Sequence, residues 1–252
     1  MNELTVVTAA ERPDLVDGML SFGALPWPEF LGHDAVVEAH WRSIYMLAPD
    51  HQLALLDPDG AAIVAIGNSI PIRWDGEPAT LPDRGIDAVL EDGVDCLRRG
   101  AEPNAASALM IVVDPARRGE GHSAVAIRSM ARVAGRRGLA NLVAPVRPTL
   151  KERYPLIPIE RYVGWRRADG TPFDPWIRVH EHVGGEIVGY ATAAMSVTAP
   201  VADWERWTGM AFPESGAYVV PGALVPVEID RDADRGEYRE PACWMRHRAP
   251  PE

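Results

Sequence analysis

Residues 107–146 constrain the fold more than any other part of the chain. SALMIVVD (107–114) and LANLVAPV (139–146) are nearly continuous apolar runs, and SAVAIRSMARVAGRRG (123–138) lies between them with helical spacing. Apolar runs of this length are what strands covered on both faces look like. Two such strands joined by a helix of crossover length are expected to lie side by side in parallel, with a right-handed connection. Ile127, Met130, Ala131 and Ala134 give the helix a core face, while Arg128, Arg132 and Arg136 line a solvated one. Gly138 stops it.

The flanks complete a mixed sheet. Leu4 to Ala9 reads as a first strand, and ERPDLVDGMLSFG as a short helix ending at Gly23. Asp34 caps a second helix, AVVEAHWRSIYML. HQLALLD and AAIVAIGNSIPIRW flank the turn Pro58-Asp59-Gly60 and predict an antiparallel hairpin. GIDAVLEDGVDCLRRG is a further helix with arginines at its C-terminal end, where the helix dipole favours them. Residues 147–173 read as irregular. Asp174 and Pro175 then open the helix PWIRVHEHV, and EIVGYATAAMSV follows as a strand. Beyond Pro200 the sequence suggests an appendix with Trp204 and Trp207, a strand pair around GAYVVPGALVPVEI, and a charged tail. The fold class is α/β: mixed strands, one parallel crossover.

Composition narrows the function. With 252 residues and 47% hydrophobic content the chain can bury one large core. No apolar run approaches the roughly 20 residues that span a bilayer. The N-terminus lacks the pattern of a secretory signal, and two cysteines are too few for a disulfide framework or a thiolate metal site, so a cytoplasmic protein without a metal is expected. A net charge of -11 argues against nucleic-acid binding, which needs clustered Lys and Arg.

The chemistry concentrates where the central helix begins. Asp114-Pro115 ends the first apolar strand, and Arg117, Arg118, Gly119, Glu120, Gly121, His122 and Ser123 follow. A helix start presents unpaired N–H groups and partial positive charge, and glycines allow close backbone approach. A phosphate or pyrophosphate site is the economical reading. The Walker pattern is excluded, since no Gly-Lys-Ser or Gly-Lys-Thr is present. Residues 119–124 fit the dinucleotide pattern G-x-G-x-x-A, but the next strand ends LVAPVRP without the acidic residue that holds a ribose.

A third pattern fits better. Val113-Asp114-Pro115 followed by Arg118-Gly119-Glu120-Gly121-His122-Ser123 resembles the pyrophosphate loop of the GCN5-related N-acetyltransferase (GNAT) superfamily: V-x-P, then R-G-x-G-x-(G or A). Ser123 stands where that family has glycine or alanine. The order of elements over residues 4–198 is also similar. The resemblance implies a GNAT-like mixed, mainly antiparallel sheet with helices on both faces, formed by 1–198, and a C-terminal extension, 199–252, packed on it and lining the acceptor pocket. It implies acetyl-CoA or another acyl-CoA as cosubstrate, its pyrophosphate held by the backbone of Arg118, Gly119, Glu120, Gly121, His122 and Ser123. The strand edge at Ile111, Val112 and Val113 would pair with the pantetheine arm, where the two parallel strands splay apart. The acceptor would be a small-molecule amine, with neither nucleic acid nor membrane as partner, and pairing of such domains leaves a homodimer open.

In much of the family a tyrosine four residues before a Gly-Phe pair protonates the departing thiolate. Counting four back from Gly184 gives His180, which becomes the candidate acid; Tyr190 and Tyr218 are further candidates. A decarboxylase or hydrolase acting on a thioester, or a non-catalytic acyl-CoA-binding module, are the alternative readings. Other constellations carry less. His180 and His182, two apart on a helix, do not share a face. Asp230, Asp232 and Asp234 imitate a calcium loop without its glycine or its twelfth ligand. Cys243 has no base near it in sequence.

Overall fold

A computed structural model describes residues 4–24 and 27–250. The chain opens with β1 (Thr5–Thr8), α1 (Val16–Gly23) and α2 (Ala35–Leu47). The hairpin β2 (Gln52–Leu56) and β3 (Ile63–Ile72) follows, then α3 (Gly85–Arg98), β4 (Ala105–Val113), α4 (His122–Arg136) and β5 (Asn141–Val146). The second half contains α5 (Ile159–Val163), α6 (Pro175–His182), β6 (Glu186–Ala199), α7 (Val201–Thr208), β7 (Gly216–Tyr218), β8 (Val227–Asp230) and β9 (Arg235–Arg248). The sheet runs β1-β2-β3-β4-β5-β9-β8-β7, with β6 also paired to β9. Its one parallel pair is β4 with β5; every other pairing is antiparallel.

Helices cover both faces, as expected from the crossover. On one side Ile44 of α2 and Leu90 and Val94 of α3 join a core with Ile70, Val143 and Trp244. On the other, Met130, Ala131 and Ala134 of α4 pack against Ala106 and Leu142, and Ile177 of α6 against Ala144, Cys243 and Met245. The caps read from sequence are present. Asp34 accepts hydrogen bonds from Val36 N and Val37 N, and Asp174 from Trp176 N and Ile177 N. Each also reaches away from its own helix: Asp34 Oδ2 to Ser196 N of β6, Asp174 Oδ2 to Leu150 N and the Tyr162 hydroxyl.

β4 and β5 pair only at Ala106–Leu142 and Ser107–Val143. Past that point β4 continues along β3, with a register shift opposite Asn68 and Ser69 that leaves Leu109 bulged, while β5 continues along β9. A gap opens between the two strands, facing the loop before α4.

Three expectations need correction. The charged tail is β9, fourteen residues long, bonded to β5 on one side and to β6 on the other. Pro241 fits within it because β6 bulges between Ala191 and Met195, where a missing N–H breaks no ladder bond. The bulge is held in turn by Asp83, which accepts from Thr192 N and Thr192 Oγ1. The irregular 147–173 contains α5, and the first helix is shorter than expected, starting at Val16. Because β6 and β9 are antiparallel partners, residues 200–234 are an insertion in a hairpin. They build a small core of their own from Trp204, Phe212 and Val227 with Phe30 and Tyr238. No helix among the described residues is long and apolar enough to cross a membrane.

Trp244 is fully buried in the main core and donates its indole N–H to Pro82 O at 3.2 Å. Trp244→Ala is expected to cost about 3–5 kcal/mol, read as a lower denaturant midpoint at unchanged slope.

Candidate functional site

The loop before α4 is built from two left-handed glycines. Asp114 accepts from Ala116 N at 2.9 Å and sets the first turn. Gly119 and Gly121 have φ of +87° and +84°, and a Cβ at either would meet open space. Backbone conformation therefore demands glycine there, not crowding. Among the described residues, the N–H groups of residues 118–123 donate to no protein acceptor. With the positive end of α4 behind them they form a cradle for an anion.

The side chains refine its charge. Arg117 Nε donates to both oxygens of Glu120 at 3.0 and 2.9 Å, which holds that carboxyl below the usual range. His122, almost buried, places Nε2 3.2 Å from Glu120 without hydrogen-bond alignment. Arg117 is thus largely neutralised within the loop. Arg118 makes no ion pair among the described residues, so its charge is the one available to a ligand. Ile111, Val112 and Val113 lie on β4 beyond its last pairing with β5, on the edge of the gap.

His180 lies in the last turn of α6, 2% exposed, with Trp176 packed edge-on at 4.3 Å. Its Nδ1 is 2.8 Å from Nε2 of His247 on β9, and its own Nε2 is buried without a partner. His247 stands opposite Leu142, the β5 residue where pairing to β4 begins. Burial, reinforced by His247, holds His180 well below the ordinary imidazole value; burial alone takes His247 down to about 4. Both rings are neutral near pH 7.

The remaining candidates are scattered. Tyr190 is 39% exposed on β6, and the Tyr218 hydroxyl donates to Glu214 O. Cys243 is fully buried and its thiol is pushed up to about 12, mainly by burial. Asp230 accepts from Ala233 N and so closes the β8–β9 turn, and Asp234 accepts from Val201 N and ties that turn to the start of α7. No group of three or more metal-ligating side chains converges among the described residues.

The gap also has a polar lip that sequence reasoning missed. Arg147, the residue after β5, directs Nε to both oxygens of buried Glu240 at 2.9 and 3.0 Å, and Nη2 to Gly222 O at 2.6 Å. Tyr238 donates to Glu240 and accepts from Leu224 N. The one available signal was an arginine directly after an apolar strand.

No profile of an established protein family matches the chain. An arginine N-acetyltransferase, avaD, of Aspergillus versicolor is 33% identical over 95% of this chain and 92% of its own length. Among solved structures, the loading GNATL domain of CurA from Lyngbya majuscula superposes with a TM-score of 0.64 at 16% identity, covering 98% of both chains. The GphF GNAT-like decarboxylase in complex with isobutyryl-CoA gives 0.58 at 20%, covering 98% of this chain and all of the other. These two likenesses show the fold.

Two outcomes are expected from the site. Gly121→Glu forces a side chain into a left-handed conformation, costing about 1–2 kcal/mol, and puts negative charge in the cradle. It should lower affinity for coenzyme A at least about 100-fold by calorimetry, while the far-ultraviolet spectrum stays native. The second concerns pH. His180 and His247 are neutral when folded, as is His51, lowered to about 4 chiefly by burial. The unfolded chain protonates near 6.5, so their contribution is complete above that value and is lost as pH falls toward 4. Asp87, raised to about 8 by burial and by Asp34, acts in the opposite sense, one group against three. The melting temperature should therefore fall between pH 6.5 and 4.5.

Proposed function

Because the chain belongs to the GCN5-related N-acetyltransferase superfamily, we propose that its acceptor is a free amino acid of the arginine type and that the group transferred is acetyl. The protein is an acyl-CoA-dependent N-acyltransferase that moves an acyl group to an amine, with the acyl-CoA as cosubstrate. The named activity of the 33%-identical relative supports arginine as acceptor. Both cysteines are free and buried, which supports a reducing cytoplasm as the site of action.

The observation that carries the reading is the cradle at residues 118–123. Its unpaired N–H groups and the Arg118 guanidinium fit a pyrophosphate, and the unpaired edge of β4 at Ile111–Val113 offers backbone groups to an extended arm. Bound acyl-CoA supplies an activated thioester carbonyl; the chain supplies position and hydrogen bonds. In this reading His180 occupies the place of the acid. If His247 Nε2 donates to His180 Nδ1, the His180 proton sits on Nε2, the atom without a protein partner. Held neutral by burial, His180 is then a fixed N–H donor, not a reservoir of imidazolium.

Purified protein, acetyl-CoA and L-arginine should release thiol and form acetylarginine, identified by mass. Thiol release without any amine would instead mark the hydrolase, loss of carbon dioxide from malonyl-CoA with the thioester retained would mark the decarboxylase, and coenzyme binding with neither would mark the passive module. His180→Phe should lower turnover about tenfold or more while coenzyme affinity stays within about threefold; equal activity removes His180 from the chemistry.

A further inference from the structure

On the face opposite α4, Gly23 at the end of α1 and Trp27 lie against the two sides of the gap between β4 and β5. Gly23 sits against β4 so closely that a Cβ there would come 2.7 Å from Met110 Cε. Trp27 donates its indole N–H back to Gly23 O at 3.1 Å, and its ring lies 5.9 Å from the guanidinium carbon of Arg147. Met110 belongs to one lip of the gap, and Arg147, directly after Val146, to the other. The face is fixed by β9, where the two-residue period puts Glu240, Ala242 and Trp244 on one side; the latter two pack in the core beneath α2 and α3. The phosphate-binding loop opens α4, on the other face.

The hydrogen bonds of Arg147 are divided unevenly. Its Nε spans both Glu240 oxygens and its Nη2 reaches Gly222 O. Nη1 donates to no acceptor among the described residues, yet it is not sealed from water, and the side chain remains 17% exposed. Glu240 is already engaged by Arg147 Nε on both oxygens and by the Tyr238 hydroxyl on Oε2. Glu240 therefore locks the guanidinium in place and leaves one pair of N–H donors open beneath Trp27. A guanidinium fixed in this way presents Nη1 to a carboxylate at a set position and direction, which the mobile ammonium of a lysine at the same place would not reproduce.

We infer that Arg147 Nη1 holds the α-carboxylate of the acceptor, so that Arg147 selects amino acids over amines that share the side chain but lack the carboxylate. The inference rests on the amino-acid reading given above and adds the residue that would enforce it. A merely structural Arg147, tying β5 to β9 and to the loop at Gly222, would affect all acceptors alike.

L-Arginine and agmatine differ only in the carboxylate and separate the two roles. Their kcat/KM values, and the thermal shift each produces on the coenzyme-bound protein, are measured for wild type and for Arg147→Lys, which keeps a cation beside Glu240. Wild type should favour arginine about 10- to 100-fold, the range of one charge-assisted hydrogen bond. In Arg147→Lys that ratio should collapse toward one, mainly through a raised KM for arginine, and the extra thermal shift from arginine should vanish. Should the lysine variant fail to fold, Arg147→Gln with Glu240→Gln removes both charges and is measured in the same way. Equal use of both compounds by wild type, or a ratio that survives the substitution, overturns the inference alone. If neither this pair nor lysine with cadaverine is acylated, the amino-acid reading fails and the inference fails with it.

Discussion

β4 and β5 share two residue pairs and then part, and the working architecture follows from that short ladder. Parallel strands joined by a helix would ordinarily zip along their length. Here each strand stays with the neighbour on its other edge, β4 with β3 through a bulge and β5 with β9 from Asn141 to Val146, and the edges that face each other separate. The opening that results is flanked by unpaired main-chain groups. The glycine cradle before α4 lies on one face of it, and Trp27 with Arg147 on the other. In the function proposed above, donor and acceptor approach from opposite faces and meet without crossing.

Buried carboxylates hold this arrangement in register. Asp34 joins the start of α2 to Ser196, Asp174 joins the start of α6 to Leu150 and Tyr162, and Glu240 joins Arg147 to Tyr238. Burying an anion costs several kcal/mol unless hydrogen bonds replace its water, and each of these has two or more donors. They do local work and long-range work at once: a helix needs its cap, and a remote strand needs its partner. The same economy explains why so acidic a chain keeps few unpaired charges inside.

Much of this was legible in the sequence, for a physical reason. The crossover, the hairpin and the caps at Asp34 and Asp174 are local, each decided by residues within one element and its ends. The cradle is local too, since two glycines before a helix fix its backbone. β9 was illegible because RGEYREPACWMRHR carries charges and a proline, and its burial comes from strands on both sides. Glu240 and His247 look like surface residues until Arg147 and His180 are brought to them across 93 and 67 residues. The candidate at His180 could be named by counting, but its neutrality could not, because that depends on His247 and on burial.

The cradle has one more consequence, for how such a protein changes through descent. Its donors are amides, which every residue type except proline possesses, so Arg117, Glu120 and His122 can drift without dismantling it. What inheritance must preserve is a pair of dihedral angles near +85° and the two glycines that permit them. The lip at Arg147 is the reverse case, since the selectivity proposed for it resides in one guanidinium and the carboxylate that aims it. A lineage can therefore keep its donor and exchange its acceptor through a few substitutions around residue 147, leaving the rest of the enzyme untouched.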